Sequence, residues 1–281
     1  MSDVLLASAG SIGVMMFVVW LLSIPLKNVS IIDISWGFGF VVVAWTSFLT
    51  EGIASSGWSH LLLPIVVTVW GLRLTIYLAI RNIGKPEDYR YVAMREKHEA
   101  SFVWSSLLRV FLLQGVIMWV VSLPIQAAAA WPVTSVEDAS PCLILSRAGL
   151  AGWAIGLLFE AVSDFQLARF KADPNNKGRV MDRGLWRWTR HPNYFGDFCV
   201  WWGHWLICLG VSEMSATWWT VISPAIMSFF LVKVSGVALL EKAMKKKSPE
   251  YEDYIHRTSS FFPWPPARDA QSVADASTSR S

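Results

Sequence analysis

Charge is what this sequence has least of. Asp, Glu, Lys and Arg make up 16% of its 281 residues, against about 25% in soluble domains. That shortfall, with its long apolar runs, reads as an integral membrane protein. Cysteine is scarce as well. Cys142, Cys199 and Cys208 form no CxxC and pair with no neighbouring histidine, so no disulfide framework and no metal site is expected. The chain also lacks HExxH, a nucleophile elbow and a P-loop. Gly37 and Gly39 in "WGFGFVVVAW" lack the third glycine of a dinucleotide loop and lie in an apolar run. Close helix packing is the better use for them. No basic flank precedes the first apolar stretch, so no cleavable signal peptide is expected. There is no internal repeat. Residues 1–266 read as one membrane-embedded domain, and residues 267–281 as a disordered polar tail.

What the chain does have is seven apolar stretches of roughly 20 residues, the length of a bilayer crossing. They run from Val4 to Leu26, Ile31 to Leu49, Trp58 to Ile80, Phe102 to Ile125, Ala148 to Leu167, Tyr194 to Val211 and Thr217 to Leu240. Many of the 17 tryptophans stand near their ends, as interfacial anchors do. The fold class expected is all-α, a polytopic membrane protein of about seven transmembrane helices. A short amphipathic helix from Pro249 to Arg257 follows them. Basic residues set the orientation. Lys85, Arg90, Arg95 and Lys97 follow span three; seven Lys or Arg, from Arg169 to Arg190, follow span five; Lys242, Lys245, Lys246, Lys247 and Arg257 follow span seven. The loops near Gly52, Val136 and Glu213 have no Lys or Arg before Arg147. The N-terminus is therefore expected outside and the C-terminus in the cytoplasm. The membrane expected is the bacterial inner membrane, or the endoplasmic reticulum in a eukaryote.

Ionisable groups inside spans are costly and mark protein interiors or cavities. Here they are Asp33, Arg73, Arg109, Glu160, Asp164 and Asp197, with Gln114 as a neutral addition and Glu241 closing span seven. Most lie in the cytoplasmic halves of their spans, which predicts a polar cavity open to the cytoplasm. Glu160 and Asp164, and likewise Asn193 and Asp197, are four apart and share a helix face. Pro192 suits the first turn of a helix. A helix N-terminus beside Arg190 and His191 suits an anion such as a nucleotide pyrophosphate. Asn193 and Asp197, just inside, would bond the amide or hydroxyls of the same ligand.

The stretch "GLWRWTRHPNYFGDFCVWWG", with "DISWGFGF", "VWGLRL", "EDYRY", "LLQG", "FEAVSDFQLARFK" and "EKAMKKKSPEYEDYIHRTSSFFPWPP" in this order, resembles the membrane-embedded steroid 5α-reductase and sterol C14-reductase superfamily. It is similar above all to the uncharacterised bacterial-type branch. The resemblance covers about Ile31 to Pro266. It implies NADPH held in a cytoplasm-facing cavity and hydride delivery to an activated C=C bond of a lipid-like substrate, with membrane lipids as neighbours and no nucleic acid. It implies cofactor contacts from Asn193, Asp197, Asp164 and Glu160. It offers Lys171, Arg179 and Arg190 for the phosphates, with His191 beside them, and Arg81, Glu241 and Tyr254 as further matches. At the substrate end it implies Asp33 on the substrate carbonyl, with Trp70 and Gln114 nearby. Trp70 stands where the steroid reductases have a tyrosine, which leaves Asp33 without its expected partner. Tyr77, one turn beyond Arg73, is the nearest candidate by sequence, so Asp33, Arg73 and Tyr77 are the expected catalytic set. An arginine–histidine–proline helix start also occurs in isoprenylcysteine-type membrane methyltransferases, which use S-adenosylmethionine. A non-catalytic lipid-binding membrane protein is the third reading.

Overall fold

A computed structural model of the chain describes residues 1–51, 61–132, 139–234, 237, 241, 244 and 250–266. Among them the secondary structure is helical, with one isolated antiparallel bridge between Pro132 and Ser212. The helices are α1 (Ser2–Leu26), α2 (Ile31–Glu51), α3 (Leu62–Asn82), α4 (Tyr89–His98), α5 (Phe102–Val121), α6 (Leu123–Ala130), α7 (Ala139–Ala172), α8 (Pro192–Val211), α9 (Met214–Val234) and α10 (Glu250–Arg257). Six of these, α1, α2, α3, α5, α7 and α9, are long and apolar enough to cross a membrane. The protein is a polytopic membrane protein. The predicted sixth span is α8, 20 residues long; Asn193, Asp197 and His204 make it less apolar than the six. The expected start of span three at Trp58, the end of span seven at Leu240, Gly52, Val136, Pro249, Lys242, Lys245 to Lys247 and the tail 267–281 lie outside the described residues.

The chain divides into two compact units. The first comprises residues 1–150 and 204–223. Within it α2 and α3 meet where two glycines face each other: a Cβ on Gly37 would run into the Gly71 carbonyl, and one on Gly71 would lie 2.5 Å from the Gly37 carbonyl. The packing role expected for Gly37 is met in this way. A Cβ on Gly39 would press into Met118 of α5. The fourth span was expected to reach Ile125, but α5 stops at Val121 and α6 begins beyond Ser122. Pro124 has no amide to continue the ladder and suits the first turn of a new helix. α5 also carries a π-turn over Leu107–Leu112, with Arg109 within it.

The second unit comprises residues 151–203 and 224–281. Here α7 and α8 cross at Gly156 and Gly196. A Cβ on either would lie 2.5 to 2.6 Å from the other's carbonyl oxygen, so the backbones touch as small-residue contacts allow. The stretch 186–190 before α8 is laced to the stretch after α10. Arg190 N donates to Ser259 O (2.8 Å), Thr189 Oγ1 to Phe261 O (2.8 Å) and Trp264 N to Trp188 O (2.9 Å). The Tyr254 hydroxyl donates to Trp186 O, and Arg257 binds Asp182.

Candidate functional site

In the first unit the polar groups converge on Asp33, in the first turn of α2. Its Oδ1 accepts a hydrogen bond from the Tyr91 hydroxyl at 3.2 Å, and its Oδ2 lies 3.6 Å from Arg90 Nη2. Gln114 of α5 donates from Nε2 to the Tyr91 oxygen at 3.1 Å, and Trp36 Nε1 donates to Gln114 Oε1. The indole occupies the amide oxygen, so the NH₂ group is the one that faces Tyr91. Asp88 caps α4 by accepting from Arg90 N at 2.9 Å and also holds the Arg90 guanidinium. Burial first, then the charge of Asp33, hold the Tyr91 phenol above its ordinary pKa. The Asp88 carboxyl is pushed up by partial burial, but its hydrogen bonds and charge contact with Arg90 outweigh this and hold it below the usual range.

The tyrosine bonded to Asp33 is therefore Tyr91, and this corrects the expectation for Tyr77. Arg73, Tyr77 and Arg81 are spaced four apart on one face of α3, and both guanidiniums lie 5.4 Å from the Tyr77 ring centroid. Trp70 is buried, 5.7 Å from the Phe40 ring and 5.7 Å from the His204 ring. Arg109 bonds His98 Nε2 at the end of α4. Tyr91 and Arg90 were not assigned to the site from sequence because "EDYRY" lies between spans, in a stretch read for its charge and its family resemblance alone. A local signal was the Asp88 cap two residues before Arg90, which marks a helix start.

In the second unit the Gly156–Gly196 crossing sets Glu160 against Gly196, so Glu160 and Asp164 of α7 are brought beside the first turns of α8. Both are buried. Asn193 and Asp197 are half-buried on α8, and Asn193 Oδ1 accepts from Tyr194 N. Lys171 and Arg179 are exposed. Arg190 and His191, expected beside an anion at the start of α8, are buried there at 7% and 4% exposed. Arg190 donates from Nε to Glu241 Oε1 (2.8 Å) and from Nη1 to the carbonyls of Ile255 (3.0 Å) and Thr258, while its Nη2 lies 2.7 Å from the same Glu241 oxygen. Its donors point into the protein, so it clamps the start of α8 to Glu241 and to the residues around Ile255 and Thr258. His191 stacks on Tyr194 and lies 3.4 Å from Glu241 Oε1. Burial pushes its pKa down to about 4, against the opposing pull of Glu241. Tyr254 sits in the same clamp, its hydroxyl spent on Trp186 O. Among the described residues no group of three or more His, Cys, Asp or Glu could hold a metal ion.

Comparison with known proteins gives two matches. The family described as "Protein of unknown function (DUF1295)" matches residues 19–258. The uncharacterized protein C594.04c of Schizosaccharomyces pombe is 26% identical over 268 residues, covering 88% of this chain and 76% of that protein. No solved structure matches.

Proposed function

The chain belongs to the DUF1295 family, and from that premise we propose that it is an NADPH-dependent membrane reductase that saturates the activated C=C bond of a lipid-like enone. The observation that carries this reading is the Tyr91–Asp33 hydrogen bond at 3.2 Å. It supplies the acid–tyrosine pair that such chemistry requires and that Trp70 left incomplete.

The residues of the second unit fit the cofactor in part. Glu160, Asp164 and Asp197 offer acceptors for ribose hydroxyls and the carboxamide, Asn193 offers both donor and acceptor, and Lys171 and Arg179 are exposed cations for phosphates. Arg190 is excluded from that set by its internal bonds. When bound, NADPH supplies the hydride that the β-carbon takes up. Tyr91 does the polarising. The phenol is protonated at neutral pH, as tyrosine ordinarily is, so it has one hydrogen to give. Without substrate that hydrogen rests on Asp33. An enone oxygen at the same place takes it and is stabilised as negative charge develops there. Gln114, fixed by Trp36, donates to the phenol oxygen and strengthens it as a donor. Arg90 holds the far oxygen of Asp33 and so aims the near one at Tyr91. The α-carbon takes a proton from water, which leaves as hydroxide, and the products are the saturated ketone and NADP⁺. We place the N-terminus outside and the C-terminus in the cytoplasm, where NADPH is supplied.

The test is thermal stability of the purified protein with NADPH and with S-adenosylmethionine, followed by NADPH oxidation across a panel of enone lipids. A ligand that binds the folded state raises its apparent stability. Stabilisation by NADPH and its oxidation with at least one enone are expected. Stabilisation by S-adenosylmethionine alone would turn the reading to a methyltransferase. No response to either ligand and no oxidation would leave a lipid-binding protein without this chemistry.

A further inference from the structure

We propose that Glu87 and Arg95 are positioning residues: they form an ion pair beyond the ends of the spans that staples α4 to the α1–α2 turn and keeps the Tyr91 hydroxyl on Asp33. This rests on the reading of Tyr91 as the group that polarises the substrate.

α4 cannot hold Tyr91 in place alone. It has ten residues, below the roughly 12–15 at which an isolated helix becomes even marginal in water. Tyr91 is its one buried residue. Its position is set by a ladder of contacts at a constant offset of 58 residues. Val29 N donates to Glu87 Oε1 at 2.7 Å, Asp88 N donates to Ser30 Oγ at 2.7 Å, and the Tyr91 hydroxyl donates to Asp33 Oδ1. The segments 29–33 and 87–91 thus lie in register, and a slip of one residue breaks all three rungs. Glu87 also places a carboxylate just ahead of the N-terminus of α2, where the helix dipole favours it.

Arg95 locks the ladder from one turn beyond Tyr91. It binds both Glu87 oxygens (3.1 and 2.9 Å) and donates to Lys27 O at 3.3 Å. Its guanidinium lies 4.3 Å from the centroid of the Phe102 ring, at the start of α5. One side chain therefore ties α4 to the α1–α2 turn and to α5. The Glu87 side chain is 9% exposed and that of Arg95 37%, so water reaches the pair from the arginine side and the carboxylate stays largely shielded. A bidentate fork of this kind is not reproduced by lysine.

The test uses the full chain in lipid nanodiscs with 3-fluorotyrosine at its six tyrosines, the Tyr91 resonance being assigned from Tyr91→Phe. In the wild type the Tyr91 position is expected to titrate above free 3-fluorotyrosine, because it is buried and faces Asp33. In Glu87→Ala it is expected to titrate lower, at the value of free 3-fluorotyrosine, while the other resonances are unchanged. Glu87→Gln, whose amide oxygen still accepts from Val29, falls between. With an active enone, kcat falls about tenfold or more in Glu87→Ala, while the KM for NADPH is unchanged. Arg95→Lys serves if Glu87→Ala does not fold, and shows the same shift. Tyr91 titrating as in the wild type in both variants overturns the proposal. If the wild type reduces no enone, the reductase reading falls, and the titration still decides whether the staple holds Tyr91.

Discussion

On the proposed reading Tyr91 carries the largest kinetic cost, and Arg190 carries a cost in stability. Tyr91 is the only hydroxyl bonded to Asp33 in the described contacts, and removing such a donor from a developing oxyanion costs about 10²–10³ in kcat. Tyr91→Phe is expected to lose that much turnover with the stabilisation by NADPH intact, as steady-state kinetics beside thermal melts will show. Arg190 is buried with Glu241. Breaking a buried pair typically costs about 3–5 kcal/mol, and the 19% exposure of Glu241 sets the expectation for Arg190→Ala at the lower end, read as a fall in melting temperature. His191 adds a pH dependence. The folded protein keeps it neutral down to about pH 4, whereas the ordinary value is 6.5. Between those values the unfolded chain binds the extra proton, so stability falls as pH drops from about 6.5 to 4. Melting curves across that range should lose this slope in His191→Gln.

Among the elements, the long helices were legible because an apolar run of bilayer length leaves few other structures open to it. Pro192 marked the first turn of α8 for the same local reason that Pro124 ends α5 early, although the second effect was not anticipated. α4 was not legible. It is short and polar, so its placement comes from bonds to residues 58 positions away, and no periodicity reports such partners. The clustering of Glu160, Asp164, Asn193 and Asp197 could be read from their four-residue spacings, but the crossing that brings the two pairs together needed Gly156 and Gly196. Gly196→Ala puts a methyl 2.6 Å from the Gly156 carbonyl, where backbone must move. Its cost is expected at about 1–3 kcal/mol, measured by denaturant or thermal unfolding. Gly152→Ala, with open space around its Cβ position, should leave stability unchanged or slightly higher.

For the whole molecule, composition alone gave the class: too little charge for a soluble body and enough apolar length for repeated crossings. Orientation rests on the distribution of Lys and Arg. Single cysteines placed at Lys177 and at Glu213, in a chain free of its own three, should be labelled by an impermeant maleimide from opposite sides of the membrane. Labelling at Lys177 from outside intact cells would reverse the assignment.

The lacing of residues 186–190 to those beyond α10 also has a consequence in time. Arg190 leaves the ribosome 68 residues before Thr258, whose carbonyl it needs. At about 5–20 residues per second, a guanidinium at the mouth of α8 waits roughly 3–14 seconds for its last partner. During that interval water takes the place of the missing carbonyls, and the start of α8 lacks the lacing that the finished chain gives it.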